Sequence, residues 1–460
     1  MTDPTRRPGK TAAEKIGAFV ASVRPETLAA EVVRLGAHSF VDTFGVSIGA
    51  AREPGGAIAM DYATEGRCGG PATIWPTGRH AQPEDAALAN GVLAHLLDYD
   101  HITANAGRGH PAVVLWPALV ALGETIGATG RQLSAGFAVG YELFMMPGIG
   151  KILDHYARGH HVTSTYGLIA ATAAAANLIG LDAGKATMAI GMAASHAAGL
   201  QANFGTMTKS LHAGIAASAA VRCVRLAARG FTASADALEG RQGFGGAYTF
   251  PDLSVDMDAL GKGPLALGAS SLSVKKFPCC LSVHIAVQTV LDMLAESAIP
   301  AADVASIRVA VEPRGLTALI HHRPVSGLQG KFSMEYCVAA ALIDGALGLE
   351  SFTDEAVQRP EAQALLRKVE AMTDGGDQRP LRAAVDIVLN VGTRLRKQRD
   401  RLPGSPQQPL SEAEMHRKFR DCVAYSGLDV DTDGFLAKMA DWGDRPISSI
   451  LGTISPAPAR

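Results

Sequence analysis

Between residues 11 and 49 the apolar positions fall at the spacing of one helix face: Ile16, Phe19 and Val20, then Leu28, Val32, Val33, Leu35, Phe40 and Val41. Side chains three and four apart share a face, so this stretch is predicted helical, with Pro25 near a helix start. The same spacing predicts helices over 84–99, 112–126, 163–181, 183–199 and 211–229. Asp182 and Ser234 each stand before a helical pattern. A side-chain oxygen there can accept from the unpaired N–H groups of the first turn, so both are expected N-caps. Residues 55–75 read as a connector with a short extended piece.

After about Leu265 the pattern changes. Residues 271–274 and 305–312 alternate or are β-branched, and Ala-Val-Asp-Ile-Val-Leu-Asn at 384–390 is the clearest strand. Helical spacing lies between them, at 283–297 and 334–347, and returns at 410–422 and 432–439. The charge run 394–401 reads as a solvated strand end or linker, and 403–409 as a boundary. A chain of 460 residues suggests two domains. The expected fold is mostly α with a smaller α+β domain. Residues 1–268 and 406–460 form the helical domain from both chain ends, and 269–405 an inserted α+β lid domain. A cleft between the two is a natural small-molecule site.

Composition narrows the function classes. Hydrophobic residues are 47% of the chain and aromatics only 5%, with 50 Gly and abundant Ala. Small side chains let helix backbones approach, so tightly packed pairs are expected. The net charge is -2, and Lys and Arg are spread along the chain. A nucleic-acid binder would carry a basic stripe, so no nucleic-acid partner is expected, and any attraction for an anion must be local. Cys68, Cys223, Cys279, Cys280, Cys337 and Cys422 include no CxxC pair. That argues against zinc and iron–sulfur sites, and fits a reducing cytoplasm. Residues 1–10 lack the apolar core of a secretory signal. No run of about 18 apolar residues is free of polar breaks, so no membrane span is expected. The glycines of 240–246 follow no strand of a βαβ unit and read as a loop rather than a nucleotide cradle. His321-His322 has no HExxH companion, so no metal site is expected there.

Five segments could carry chemistry. In the first, His95 and Asp98 share a helix face, Asp100 and His101 crowd the helix end, and His110-Pro111 opens the next helix. Carboxylates beside imidazoles suit general acid–base work, because histidine titrates near neutrality. The second, His160-His161-Val162-Thr163-Ser164, precedes a long helix whose free N–H groups favour a carboxylate. Taken alone, the segment reads rather as a plain N-cap, Thr163 or Ser164, with exposed histidines. The third holds Lys209, Ser210 and His212, and a lysine there could stabilise an enediolate. The fourth is Lys275-Lys276-Phe277-Pro278-Cys279-Cys280 at the domain junction; free cysteines are usually buried packing. The fifth is Lys331-Phe332-Ser333-Met334-Glu335-Tyr336, where the tyrosine could move a proton or simply be buried.

In this order and spacing the five segments resemble the MmgE/PrpD family over nearly the whole chain. The strongest pieces are Leu97-Asp98-Tyr99-Asp100 with His110-Pro111, and Lys209-Ser210-Leu211-His212-Ala213-Gly214. The resemblance implies a helical domain with a smaller lid, a homodimer, and neither metal nor organic cofactor. It implies a lyase, dehydratase or decarboxylase, that abstracts a proton next to a carboxylate of a small di- or tricarboxylate. An epimerase of a dicarboxylate such as iminodisuccinate is the alternative, and a carboxylate-binding protein without activity the third reading. It points to Asp98, His110, His161, Lys209, Lys275 and Tyr336 as catalytic positions, and to Thr103, His101, Ser210 and His212 as substrate-binding ones. Two departures fall in these loops. Asp98-Tyr99-Asp100-His101-Ile102-Thr103 stands where the family usually reads Asp-aromatic-Asp-Asp-Thr, and His161-Val162 where it often has His-Pro.

Overall fold

The structure, a computed structural model, describes residues 9–65, 69–103, 109–146, 152–248, 257–270, 272–377 and 381–452. Cys68, Ser271 and most of residues 1–10 and of the loop between Thr103 and His110 lie outside the described residues. Helix accounts for 57% and strand for 9%, so the chain is mostly α with a smaller α+β part, as predicted.

The first ten helices are α1 (Ala12–Ser22), α2 (Ala30–Gly49), α3 (Pro54–Thr64), α4 (Pro83–Leu96), α5 (Ala112–Ile126), α6 (Gly130–Met145), α7 (Ile152–Ala157), α8 (Val162–Leu178), α9 (Ala183–Ala194) and α10 (Thr208–Ala228). A two-stranded ribbon, β1 (Ala72–Ile74) and β2 (Arg79–Ala81), interrupts them. α8 is apolar all round and nearly every residue is buried, as a central helix requires. Both chain ends share this core. Phe40 stacks on Trp442, Phe44 stacks on Phe435, and Phe419 of the helix Glu412–Ser426 stacks on Phe435 in turn.

A second core surrounds a four-stranded sheet. Its strands are β3 (Val304–Val311), β4 (Val369–Thr373), β5 (Ala383–Leu389) and β6 (Arg394–Arg399), in spatial order β4-β3-β5-β6. β4 runs parallel to β3, while β5 is antiparallel to both β3 and β6. Val304, Ile307, Val309, Val385 and Ile387 are buried, in one cluster with residues of the helices His284–Glu296 and Met334–Asp344. β6 is a charged edge strand, which blunts pairing with another chain.

The sequence pattern misread four places. Residues 54–64 are a helix, not a connector. Pro54 starts it, and Gly56 lies so close to Ala50 that a Cβ would stand 2.2 Å from that carbonyl oxygen. No helix follows Ser234, whose hydroxyl bonds Asp236 instead. β4 is too short and mixed to show a period, and the charge run holds a full strand. α10 is long and apolar enough to cross a membrane by length and composition, yet 67% of that stretch is buried inside the protein.

The crossing of α4 and α10 places the chemistry. A Cβ on Gly91 would stand 2.7 Å from Gly214 Cα, and one on Gly214 would stand 2.4 Å from Leu88 O. The two backbones therefore touch, which sets His95, one turn beyond Gly91, beside Lys209. Gly214→Ala is expected to lower stability by about 1–3 kcal/mol through overpacking. Thermal unfolding checks this, and an unchanged midpoint contradicts it.

Candidate active site

Asp98 is the described residue other than glycine with positive φ, 50°. Left-handed backbone is unfavourable for residues with a Cβ, though aspartate tolerates it better than most. Here it turns the chain just after α4, so that Asp98 and Asp100 both face inward and are buried.

Two ammonium groups meet the Asp98 carboxylate. Lys209 Nζ lies 2.7 Å from Oδ1 and Lys275 Nζ 3.1 Å from Oδ2. Burial raises the pKa of Asp98, but Lys209 and Lys275 outweigh it and hold the carboxyl far below its usual range. Burial likewise pulls Lys275 down, and Asp98 with Asp100 more than restores it. Lys209 stays below the ordinary lysine value because burial wins there. Its ammonium also faces the rings of Phe204 and Phe332, at 5.6 and 5.3 Å.

The hydrogen bonds assign the histidine protons. Lys209 Nζ donates to His95 Nε2 at 2.7 Å, so that nitrogen is an acceptor and Nδ1 carries the hydrogen. His95 Nδ1 then donates to Asp100 Oδ1 at 3.0 Å. His110 Nδ1 donates to the other oxygen of Asp100 at 2.6 Å. Asp100 is held well below its usual pKa: burial opposes this, and His110 and His95 outweigh it. One carboxylate thus locks two imidazoles in the same tautomer and leaves His110 Nε2 as an acceptor. Burial keeps His110 below 6.5 despite Asp100, and takes His95 down to about 3.

His161 is the N-cap of α8 and makes no side-chain cap bond, so that helix start keeps free N–H groups. Its Nδ1 lies 3.0 Å from His212 Nδ1. One ring must donate and the other accept. With His212 donating, His161 carries its proton on Nε2. Burial, then Lys209, keeps His161 neutral, and burial takes His212 to about 4.

These groups line a cleft of about 750 Å³, counting its open mouth. Asp98, Ile102, His110, Tyr156, His161 and Lys209 come from the first core's side, and Phe204, just before α10, packs with the second core. Lys275, Cys280, Ser282, Glu312, Phe332 and Arg382 come from the second core's side. His95, Asp98, Asp100 and His110 are of metal-ligand type and converge within 4.8 Å. Apart from His110 Nε2, their atoms face one another or the ammonium groups of Lys209 and Lys275. A divalent ion among them would stand against two ammonium groups, which already supply the positive charge at Asp98.

The family model of the MmgE/PrpD N-terminal domain matches residues 14–254, and that of the C-terminal domain matches 277–436. The chain belongs to the MmgE/PrpD family. Among curated proteins it is 27% identical to human cis-aconitate decarboxylase, covering 98% of this chain and 95% of the relative. The mouse cis-aconitate decarboxylase is 27% identical over 89% of this chain and 86% of the relative. The enzyme of that name from Aspergillus terreus is 28% identical over 64% of each.

Of the residues that the MmgE/PrpD resemblance pointed to, Asp98, His110, His161, Lys209 and Lys275 meet in the cleft. Tyr336 does not. It is wholly buried in the second core, its hydroxyl donates to Ser351 O, and burial raises its pKa. Phe332 of the same segment lines the cleft instead, and Lys331 lines a smaller hollow beside it. His101 also lies away from the cleft: it packs against Phe137 and Tyr141, with Nδ1 3.2 Å from Ser39 Oγ. Thr103 bonds Gly109 O, and its neighbour Ile102 faces the cleft. Ser210 donates to Met207 O beside a smaller hollow shared with His95 and Lys331, and His212 acts through His161. His95 and Asp100, named in the first chemistry-bearing segment but not among the positions that the resemblance points to, complete the site, together with Phe204, Glu312 and Arg382, which the sequence does not single out. The last three carry no local signal; only the tertiary fold brings them to the cleft.

At neutral pH, nitrogen-15 spectra are expected to show Nδ1–H on both His95 and His110, with neither ring protonated until below pH 6.5. Asp100 favours the charged ring, so Asp100→Asn should lower the His110 midpoint further. A His110 midpoint at or above 6.5 in the unaltered protein contradicts the assignment.

Proposed function

We propose that this protein is a lyase that decarboxylates an unsaturated tricarboxylate, with cis-aconitate the first substrate to test. One observation carries the reading: an acceptor imidazole, His110, and a second imidazole, His161, face the same cleft as two buried ammonium groups, Lys209 and Lys275. The names of the relatives support it.

In this reaction a methylene-borne carboxylate leaves as carbon dioxide. The bonding pair shifts through the double bond to the carbon beside another carboxylate, and that carbon takes a proton. Negative charge grows on the enediolate between the two events. Lys209 and Lys275 are fixed and charged beforehand, so they stabilise it without reorganising. The free N–H groups at the start of α8 suit one remaining carboxylate, and Arg382 at the rim, although paired with Asp374, brings positive charge toward the mouth. His161 gives its Nε2 proton to the carbon beside the carboxylate and takes the Nδ1 proton of His212 in the same step, and the one proton consumed per turnover returns to this pair from solvent by way of His110 Nε2. The side chains named are sufficient for these steps. A dehydratase or a dicarboxylate epimerase would use the same pair, with His110 removing the proton first. A homodimer in a cytoplasmic setting belongs to the same proposal.

Proton NMR in deuterium oxide tests it, with cis-aconitate, 2-methylcitrate, citrate and iminodisuccinate offered in parallel. Loss of cis-aconitate with one deuterium placed beside a product carboxylate is expected. His110→Gln and Lys209→Met should each lower kcat on the order of 10²–10⁴-fold. Full turnover in either variant contradicts the roles given. Deuterium exchange without net loss of substrate would replace the lyase with an epimerase.

A further inference from the structure

Three ammonium groups line up along one short piece of main chain. Lys331 Nζ donates to Leu97 O at 2.8 Å, Lys275 Nζ to Asp98 O at 2.7 Å, and Lys418 Nζ to Tyr99 O at 2.7 Å. The same side chains reach the segment that carries Lys275. Lys331 also donates to Pro278 O at 2.8 Å and Lys418 to Lys275 O at 3.0 Å, while Tyr99 Oη donates to Lys276 O at 3.1 Å. Residues 97–99 and 275–278 are therefore laced together by side chains from two distant elements. Lys331 belongs to the turn before the helix Met334–Asp344 of the second core. Lys418 lies within the helix Glu412–Ser426, where it also pairs with buried Asp42 at 2.6 Å.

Lysines are a costly choice here. Lys331 is 3% exposed and Lys418 5%. Among the described residues no carboxylate pairs with Lys331; its further contact is the Phe352 ring, 4.5 Å away. An apolar side chain would avoid the desolvation of a buried charge. The carbonyls it would leave behind are those at the end of α4, where cations are favoured. They flank the residue whose backbone is left-handed.

We propose that Lys331 and Lys418 are positioning residues, which act on the reaction proposed above by holding the 97–99 carbonyls so that Asp98 keeps its carboxylate between Lys209 and Lys275. Neither touches the reacting atoms. Because Lys331 comes from the second core, the seating of that core becomes a condition for the conformation of Asp98.

Lys331→Met and Lys418→Met test this in the full chain, read by steady-state kinetics and by amide hydrogen exchange. Exchange at residues 98–103 should quicken about tenfold or more, with α5 as in the unaltered protein. On a turned-over carboxylate kcat should fall on the order of 10²-fold, as for a catalytic group misplaced by about 1 Å, with KM changed by less than about threefold. Lys331→Arg, which keeps a donor cation, should recover part of both. Where a methionine variant fails to fold, the glutamine variant takes its place. Unaltered exchange at 98–103 in both variants overturns the clasp, whether or not a substrate has been found. Quicker exchange with unaltered kcat overturns the positioning role. If the unaltered protein turns over no carboxylate, the lyase reading fails, while the exchange result still decides the clasp.

Discussion

The carboxylate of Asp98 lies between two buried ammonium groups, and both halves of the molecule are arranged around that contact. Lys209 comes from α10, drawn against α4 by facing glycines. Lys275 comes from the segment where the chain passes toward the second core. The left-handed turn at Asp98 costs about 1–2 kcal/mol. Removing one partner of a buried ion pair costs about 3–5 kcal/mol, so the pairing outweighs the strain and keeps the turn in place.

The cluster is balanced before any substrate arrives. Two carboxylates, Asp98 and Asp100, face two ammonium groups, and burial keeps the histidines neutral. A site built this way does not rely on a strongly basic surface, which agrees with a net charge of -2. Fixed donors in a largely buried cluster suit the proposed reaction, in which developing charge would meet cations that need not move.

The fold is readable wherever burial follows a period: α1 and α2 announce themselves by spacing and β5 by alternation, while α8, buried on every side, shows only as a long apolar run. α3 was missed because its glycines, which permit its close approach to Ala50, look like a connector. For the site, the ordered motifs were enough to bring Asp98, His110, His161, Lys209 and Lys275 to attention. They do not place Tyr336 in the cleft, because a segment can be shared for packing as well as for chemistry, and here the hydroxyl donates to Ser351 O. Asp100 was visible as a neighbour, but its bridge between His95 and His110 depends on the turn that Asp98 makes. Lys331 heads the fifth segment without a role of its own, and Lys418 is not singled out by the sequence. Only the tertiary structure shows that they are buried against carbonyls more than 200 residues away in sequence for Lys331 and more than 300 for Lys418.

The pH dependence of turnover in Asp98→Asn tests the central contact most directly, measured beside the unaltered enzyme on whichever carboxylate it converts. The Asp98 anion favours the charged form of both lysines, so its removal lowers their pKa values. The alkaline limb of the variant should then move to lower pH, with a reduced plateau. An alkaline limb that stays in place, or a variant with full activity, would contradict the account.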